Sequence, residues 1–275
     1  MALPGDEQER LREHYRVERE LADRLRAAGP EERRRLYGEV YDELFRRVPH
    51  HPQLRWKEDE AQTRARVERQ LRLLQRLLRP GETFLEIGAG DCSLSRVVAA
   101  TARKVFAVEV SDEITSGLDL PENVQVVISD GASIPVPPGS ADLAYSNSLM
   151  EHLHPDDARE QLGNVFDALA PGGRYLCVTQ DRLAGPHDVS RHFDRVATGF
   201  HLKEYTVGEL AALFSEVGFR RLRLYVGGRG RYLGVPVAPV TATEAGLSVL
   251  PYRARRQAAN AMPFRFIRLL GEKPR

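Results

Sequence analysis

The sequence predicts an α/β protein: a doubly wound, mainly parallel sheet of seven strands with a helical cap ahead of it. Three observations carry that expectation. From Glu82 onward, short apolar runs alternate with helical patterns, the grammar of parallel strands joined by crossover helices. One run, Phe84-Leu85-Glu86-Ile87, breaks on glycines at 88 and 90 into a helical stretch from Cys92 to Ala100. Such a corner brings backbone N–H groups toward a ligand. Residues 6 to 80, by contrast, read as helices alone.

Taken in order, the first helix carries Leu11, Tyr15, Leu21 and Leu25 at helical spacing and stops at Gly29-Pro30. A second runs from Glu31 to Val48, with Leu36, Tyr37, Val40, Tyr41, Leu44 and Phe45 on one side, and Pro49-His50-His51-Pro52 breaks it. A third runs from Glu58 to Leu78 on the stripe Val67, Leu71, Leu74, Leu78. Acidic residues interleave with the many arginines, so solvated faces over apolar stripes explain them better than an RNA-binding arm. The stripes must bury against something, and a cap over the following domain is expected, which divides the chain into residues 1–80 and 81–275.

The strands expected next are Thr83–Ile87, Lys104–Val110, Val124–Ser129, Ala141–Ser146 and Arg174–Thr179, with helices at Leu94–Ala102 and Asp156–Leu169. A long connection, residues 181–205, has little apolar periodicity and reads as a functional loop. Thr206-Val207-Gly208-Glu209 has capping-box spacing and opens a helix that ends at Gly218. Arg221–Val226, a helical piece at Thr243–Ala259 and Phe264–Leu270 follow, with an antiparallel edge expected at the final pair of strands.

Composition bounds the partners. The 275 residues are 42% hydrophobic and 29% charged with a formal net charge of +1, so no global field argues for nucleic acid or a membrane surface. Two cysteines, Cys92 and Cys177, form no disulfide framework and lack metal-ligand spacing, which fits a reducing, cytoplasmic setting. The run MALPGDEQER has no apolar core of the kind a secretory leader carries, and no apolar stretch is long enough to span a bilayer.

Ligands of doubly wound sheets sit beyond the carboxyl ends of the strands, and four features fall there. Glu86 precedes Gly88 and Gly90, a carboxylate where a pyrophosphate-binding turn carries an apolar residue, so a guest with a positively charged amino end is indicated. Glu109 ends the second strand, placed to take ribose hydroxyls or, more simply, to cap a helix. Asp130-Gly131 follows the third strand, as an adenine-amino acceptor or a common turn pair. Ser146-Asn147 ends the fourth.

With these residues in view, the stretch from Thr83 to Val178 resembles the class I S-adenosylmethionine-dependent methyltransferases. The matching runs are LEIGAGDCS (85–93), AVEVSDE (107–113), ISDGASIPVPPGSADLAYSNSLMEHL (128–153) and LAPGGRYLCVT (169–179). The resemblance implies a Rossmann-like methyltransferase fold with S-adenosyl-L-methionine as cofactor. Glu86, Gly88, Ala89 and Gly90 would hold its methionine end. Glu109 would bind the ribose, Val110 would lie against the adenine, and Asp130 would reach the adenine amino group with Gly131 and Ala132 alongside. Ser146 would lie near the sulfonium. Cys92 stands where many members have a third glycine. A nicotinamide-binding GxGxxG would want glycine at 93, where this chain has Ser93.

A hydroxyl acceptor benefits from a base, and histidine suits neutral pH. His152, just after the fourth strand, and His187, with Asp188 as orienting carboxylate, are the expected catalytic residues; His192 and His201 are further candidates. His152 reads equally as a packed helix histidine and His187 as a turn residue after Gly185-Pro186. A metal on His187, Asp188, His192 and His201 matches no strong spacing, so none is expected. Arg182 and Arg191 could hold an anionic group on the acceptor, and Tyr37 and Tyr41 could close the pocket. The expected activity is O-methylation of a small molecule. The alternatives are RNA or protein methylation, for which Arg253, Arg255, Arg256, Arg265 and Arg268 speak, and a catalytically silent binding protein.

Overall fold

The computed structural model describes residues 5–51, 60–228, 230–263 and 265–275. Glu58 and Phe264, expected as element starts, lie outside the described residues. Helix α1 (Gly5–Ala27) leads to α2 (Pro30–Arg47), which has Pro30 in its first turn, Glu31 and Glu32 beside it, and Arg46 and Arg47 in its last turn. That arrangement complements the helix dipole at both ends. Helix α3 is Glu60–Leu74.

The strand–helix alternation then unfolds as β1 (Thr83–Ile87), α4 (Ser93–Val98), β2 (Lys104–Glu109), α5 (Asp112–Thr115), β3 (Val124–Ile128), β4 (Ala141–Asn147), α6 (Pro155–Ala168) and β5 (Leu169–Gln180). After the long loop come α7 (Val207–Val217), β6 (Arg220–Gly228), β7 (Arg231–Pro236), α8 (Val237–Ser248), α9 (Tyr252–Ala261) and β8 (Phe266–Glu272). The expected capping box opens α7: Glu209 N–H donates to Thr206 Oγ1 (3.2 Å) and Thr206 N–H to Glu209 Oε2 (3.0 Å).

All strands join one eight-stranded sheet in the order β3-β2-β1-β4-β5-β8-β6-β7. Pairings from β3 through β5 are parallel, whereas β8 runs antiparallel to both β5 and β6, and β7 antiparallel to β6. Strand order reverses between β1 and β4, which puts the ligand crevice beyond their carboxyl ends. The eighth strand corrects the expected seven. Strand β7 is an edge strand with Leu233 67% exposed and no fully buried residue, its Tyr232 and Val235 only half-buried, so no strong alternating pattern was imposed on its sequence. The single helix expected over Thr243–Ala259 is two, separated at Pro251, which lies just ahead of α9.

Alternate strand residues face opposite ways, and the two faces carry separate cores. Leu85 and Ile87 pack with Val17, Leu21, Val40 and Leu44 of α1 and α2, and with Leu162 of α6 and Phe214 of α7. Phe84 packs on the other side with Val67 and Leu74 of α3 and Leu94 and Val98 of α4. The three N-terminal helices therefore do not form one cap over residues 1–80. Helices α1 and α2 share the first core, and α3 belongs to the opposite face.

Candidate cofactor and acceptor site

Beyond β1 the chain turns on Gly88 (φ 73°) and Gly90 (φ 54°), then passes through Cys92 (φ 54°) into α4. All three lie in the left-handed region that costs other residues about 1–2 kcal/mol. The departure at Cys92 thus keeps the backbone a glycine would have. Gly88 and Ala89 donate to the carbonyl of Val108 (2.9 and 3.0 Å), which locks the turn against β2.

Glu86 points to the α4 side and is buried, its Oε2 accepting from Ser95 Oγ at 2.6 Å. Burial pushes its carboxyl up to about 8, although the Ser95 hydrogen bond pulls the other way. A buried carboxylate so held up fits an incoming ammonium group. Glu109 closes the loop from β2: Gly90 N–H donates to its Oε2 (2.7 Å) and Val110 N–H to its Oε1 (2.9 Å). Ser129 N–H in turn donates to the Glu109 carbonyl (2.9 Å). Asp130 follows directly and accepts from Ala132 N–H (3.1 Å) and Ser133 N–H (2.7 Å). Those amides and Arg34 hold its carboxyl below the usual range against the opposing effect of burial. Glu86, Glu109 and Asp130 therefore stand at the carboxyl ends of three adjacent strands, joined by hydrogen bonds.

Helix α2 roofs this edge. Arg34 donates to Asp130 at 3.2 Å, and a Cβ on Gly131 (φ +94°) would come within 2.8 Å of the Tyr37 ring. Tyr41 continues the roof, its ring 6.1 Å from His152 and 5.1 Å from Phe200. The roof is fastened by Arg33, whose Nε and Nη2 donate to the two oxygens of Asp157 at 2.6 and 2.7 Å. Ser146, expected near the sulfonium, has a fully buried hydroxyl paired with Tyr175 Oη at 2.7 Å.

After β4, Glu151, half-buried His152 and buried His201 present one donor atom each, all within 4.8 Å of one another. His152 donates through Nδ1 to the Phe200 carbonyl (3.0 Å). Burial, reinforced by neighbouring His201, pushes it down to about 3, so its ring is neutral. His201 donates through Nδ1 to Glu204 (2.7 Å); burial opposes its charge, but that bond and the charges of Glu151, Glu204 and Asp188 raise it to about 9. Buried Glu151 accepts from Thr179 Oγ1 (2.7 Å) on one oxygen, while its Oε1 has no hydrogen-bond partner among the described residues. Burial raises its carboxyl above the ordinary range.

His187 is not paired with Asp188 as expected. Its Nε2 donates to the Asp181 carbonyl (3.0 Å), and the Asp188 carboxylate instead binds the N–H groups of Ser190, Gly199 and His201. Nor do His187, Asp188, His192 and His201 converge: His192 bonds its neighbour Arg191, and Arg182 pairs with Glu209 at 3.1 Å. Sequence reasoning missed Glu151, although it adjoins His152 at a strand end. A surface cleft of about 850 Å³ lined by Thr83, Lys104, Asn123 and Asp142 opens at the opposite edge of the strands, away from every one of these groups.

The family model described as "Methyltransferase domain" matches residues 57–224, more than half of the chain. An uncharacterized methyltransferase of Bacillus pumilus is 26% identical over 151 residues, covering 51% of this chain and 70% of the relative. A probable S-adenosylmethionine-dependent methyltransferase of Mycobacterium tuberculosis is 27% identical over 136 residues, 49% of this chain and 47% of the relative. In fold, the chain is similar to the methyltransferase solved with the Trm112 activator of Haloferax volcanii (TM-score 0.55, 16% identity, 80% of this chain and 96% of that one). It is likewise similar to an S-adenosylmethionine-dependent methyltransferase of Thermotoga maritima (TM-score 0.52, 17% identity, 77% and 90%). Glycine turn, strand-tip carboxylates and family match together place this chain among the class I S-adenosylmethionine-dependent methyltransferases.

Proposed function

We propose that the protein methylates a hydroxyl of a small molecule held between the β4 end and the α2 roof. When bound, S-adenosylmethionine supplies an electrophilic methyl group. Glu86 would hold its ammonium end and Glu109 and Asp130 its nucleoside. Gly88, Ala89 and Gly90 would give the backbone close approach, and Val110, Gly131 and Ala132 would line the base. The electrophile needs little activation, so the chain mainly orients the acceptor and excludes water.

The observation that carries the acceptor reading is the Oε1 of buried Glu151, which has no hydrogen-bond partner among the described residues, beside the neutral ring of His152. His152, with Nδ1–H committed to Phe200, offers Nε2 as an acceptor that orients a hydroxyl. At about 3 its basicity is too low to keep a proton at neutral pH. Glu151, raised by burial, is the better proton holder, which moves the base from the expected histidines to their neighbour. Roofing by α2 and the 197–201 segment suits a compact acceptor. A phosphoethanolamine N-methyltransferase of Haemonchus contortus, similar in fold (TM-score 0.53, 16% identity, 74% of this chain and 52% of that one), was solved with a small phosphorylated amine, which supports the small-molecule part only.

Incubation with methyl-labelled cofactor and metabolite extracts, followed by mass detection, tests the reading. Label should enter a small hydroxylated compound, and Glu151→Gln should lower kcat roughly 10²–10⁴-fold while cofactor Kd stays within a few-fold. Label in RNA or protein instead would overturn it, as would full activity of Glu151→Gln.

A further inference from the structure

A second polar cluster lies away from the strand tips, under the N-terminal helices. His14 and Glu18 stand one turn apart on α1 and so share a face, and His51 reaches them from beyond the end of α2. All three are buried, at 7%, 5% and 7% exposure. His14 Nε2 lies 2.7 Å and His51 Nε2 3.5 Å from Glu18 Oε1, and one donor atom from each residue lies within 4.8 Å of the others. The imidazoles meet edge to face with centroids 4.8 Å apart.

We propose that His14, Glu18 and His51 form a binding site for a divalent transition-metal ion of the zinc class. Two imidazoles and a carboxylate are donors such an ion accepts. Tetrahedral bonds of about 2.0–2.2 Å set donor atoms roughly 3.3–3.6 Å apart, inside the 4.8 Å span this cluster already shows. The other Glu18 oxygen accepts from Phe200 N–H (3.2 Å), the sort of outer contact that fixes a ligating carboxylate. For the fourth position the fold offers His50, whose ring lies 6.4 Å from that of His14. Its Nε2 is buried and makes no hydrogen bond among the described residues. Without a cation, Glu18 Oε1 faces both imidazoles directly, with His14 Nε2 at hydrogen-bond distance. A cation replaces the ring protons with one ion that satisfies all three side chains.

The role follows from the connections. The ion ties α1 to the end of α2 and, through Glu18, fixes Phe200, whose carbonyl holds His152. It acts as a structural brace behind the acceptor site.

Full-length protein stripped with chelator and titrated with Co2+ and then Zn2+ tests this. One equivalent of Co2+ should give the intense visible bands of a four-coordinate site. Zn2+ should displace it and raise Tm by roughly 5–10 °C at a hundredfold excess over Kd. His51→Gln should abolish the bands, and His201→Asn, in the Glu151–His152–His201 group, should keep them. Absence of bands and of a Tm response would reduce the cluster to an ion pair. Bands that survive His51→Gln, or vanish in His201→Asn, would place the ion elsewhere. Should His51→Gln fail to fold, anomalous diffraction from cobalt-loaded wild-type crystals decides: a peak among the three side chains supports the site, and a peak elsewhere or none overturns it.

Discussion

The cofactor edge and the acceptor side are made from different materials. From Glu86 to Ala132 one contiguous stretch supplies the proposed cradle, and backbone geometry does most of the shaping: left-handed glycines, amides bound to Glu109, an Asp130 turn. The acceptor side gathers side chains from α2, the β4 end and the 181–205 loop, and ionisable groups fasten it: Asp157 under Arg33, Glu204 under His201, Glu18 under Phe200. The first region is held by local hydrogen bonds, the second by buried charges. Mutations should separate them accordingly.

The largest effect belongs to the roof. Arg33 and Asp157 are 4% and 3% exposed and joined by two hydrogen bonds; Tyr37 donates to the same carboxylate at 2.6 Å. Arg33→Ala strands a buried charge and should cost about 3–5 kcal/mol in urea unfolding. Next along the helix, Arg34 pairs with Asp130 and Glu160 at 29% exposure, so Arg34→Ala should cost no more than about 1 kcal/mol. Equal losses would erase the distinction between a buried fastening and a surface one.

Glu86→Gln should move binding rather than stability. It removes the carboxylate proposed to meet the cofactor's ammonium, and a hydrogen bond to a charged group contributes about 1.5–3 kcal/mol. Calorimetry should show cofactor affinity falling roughly 10- to 100-fold with Tm nearly unchanged, because the buried carboxyl of the free protein is already mostly protonated at pH 7. Unchanged affinity would take Glu86 out of the cradle.

At Gly131 the two regions touch. Gly131→Ala adds a methyl that would sit 2.8 Å from Tyr37 at φ +94°, an expected loss of about 1–3 kcal/mol. A double-mutant cycle with Tyr37→Ala isolates the steric share. No coupling there would mean that α2 does not rest on this loop.

The same contrast explains what the chain disclosed before its fold was known. Strands β1, β2, β4 and β5 were legible because both faces are largely buried, which writes short apolar runs into the sequence, and because glycines mark the turns; β3, although an edge strand with Ile128 46% exposed, is apolar enough to read the same way. The capping box at Thr206 was legible for an equally local reason. Edge strand β7 imposes no such pattern, and neither does the division of the N-terminal helices between two faces, since an amphipathic stripe records that a face is buried but not against what. Glu151 meets Thr179 and His201 only once the chain is folded, so its neighbourhood left no local trace, and the pairing expected for His187 and Asp188 followed adjacency alone. Their side chains in fact turn to different partners, Asp181 and the amides of the 190–201 segment.

The smallest effect tests the electrostatics of the cradle most directly. In the ligand-free protein burial sets the Glu86 carboxyl at about 8, so at pH 7 it mostly carries a proton. An ammonium partner demands the carboxylate, so binding must expel that proton. Linkage then fixes the sign: affinity rises with pH wherever the free protein holds the proton more tightly than the complex. Between pH 7 and 8 cofactor affinity should increase about fivefold, with a proton released in calorimetry run in buffers of different ionisation enthalpy. Above pH 8 the rise should flatten as Glu86 ionises unaided. Glu86→Gln should lose both the slope and the released proton. A slope that persists in that variant would belong to another group, and the ammonium contact would have to be sought away from β1.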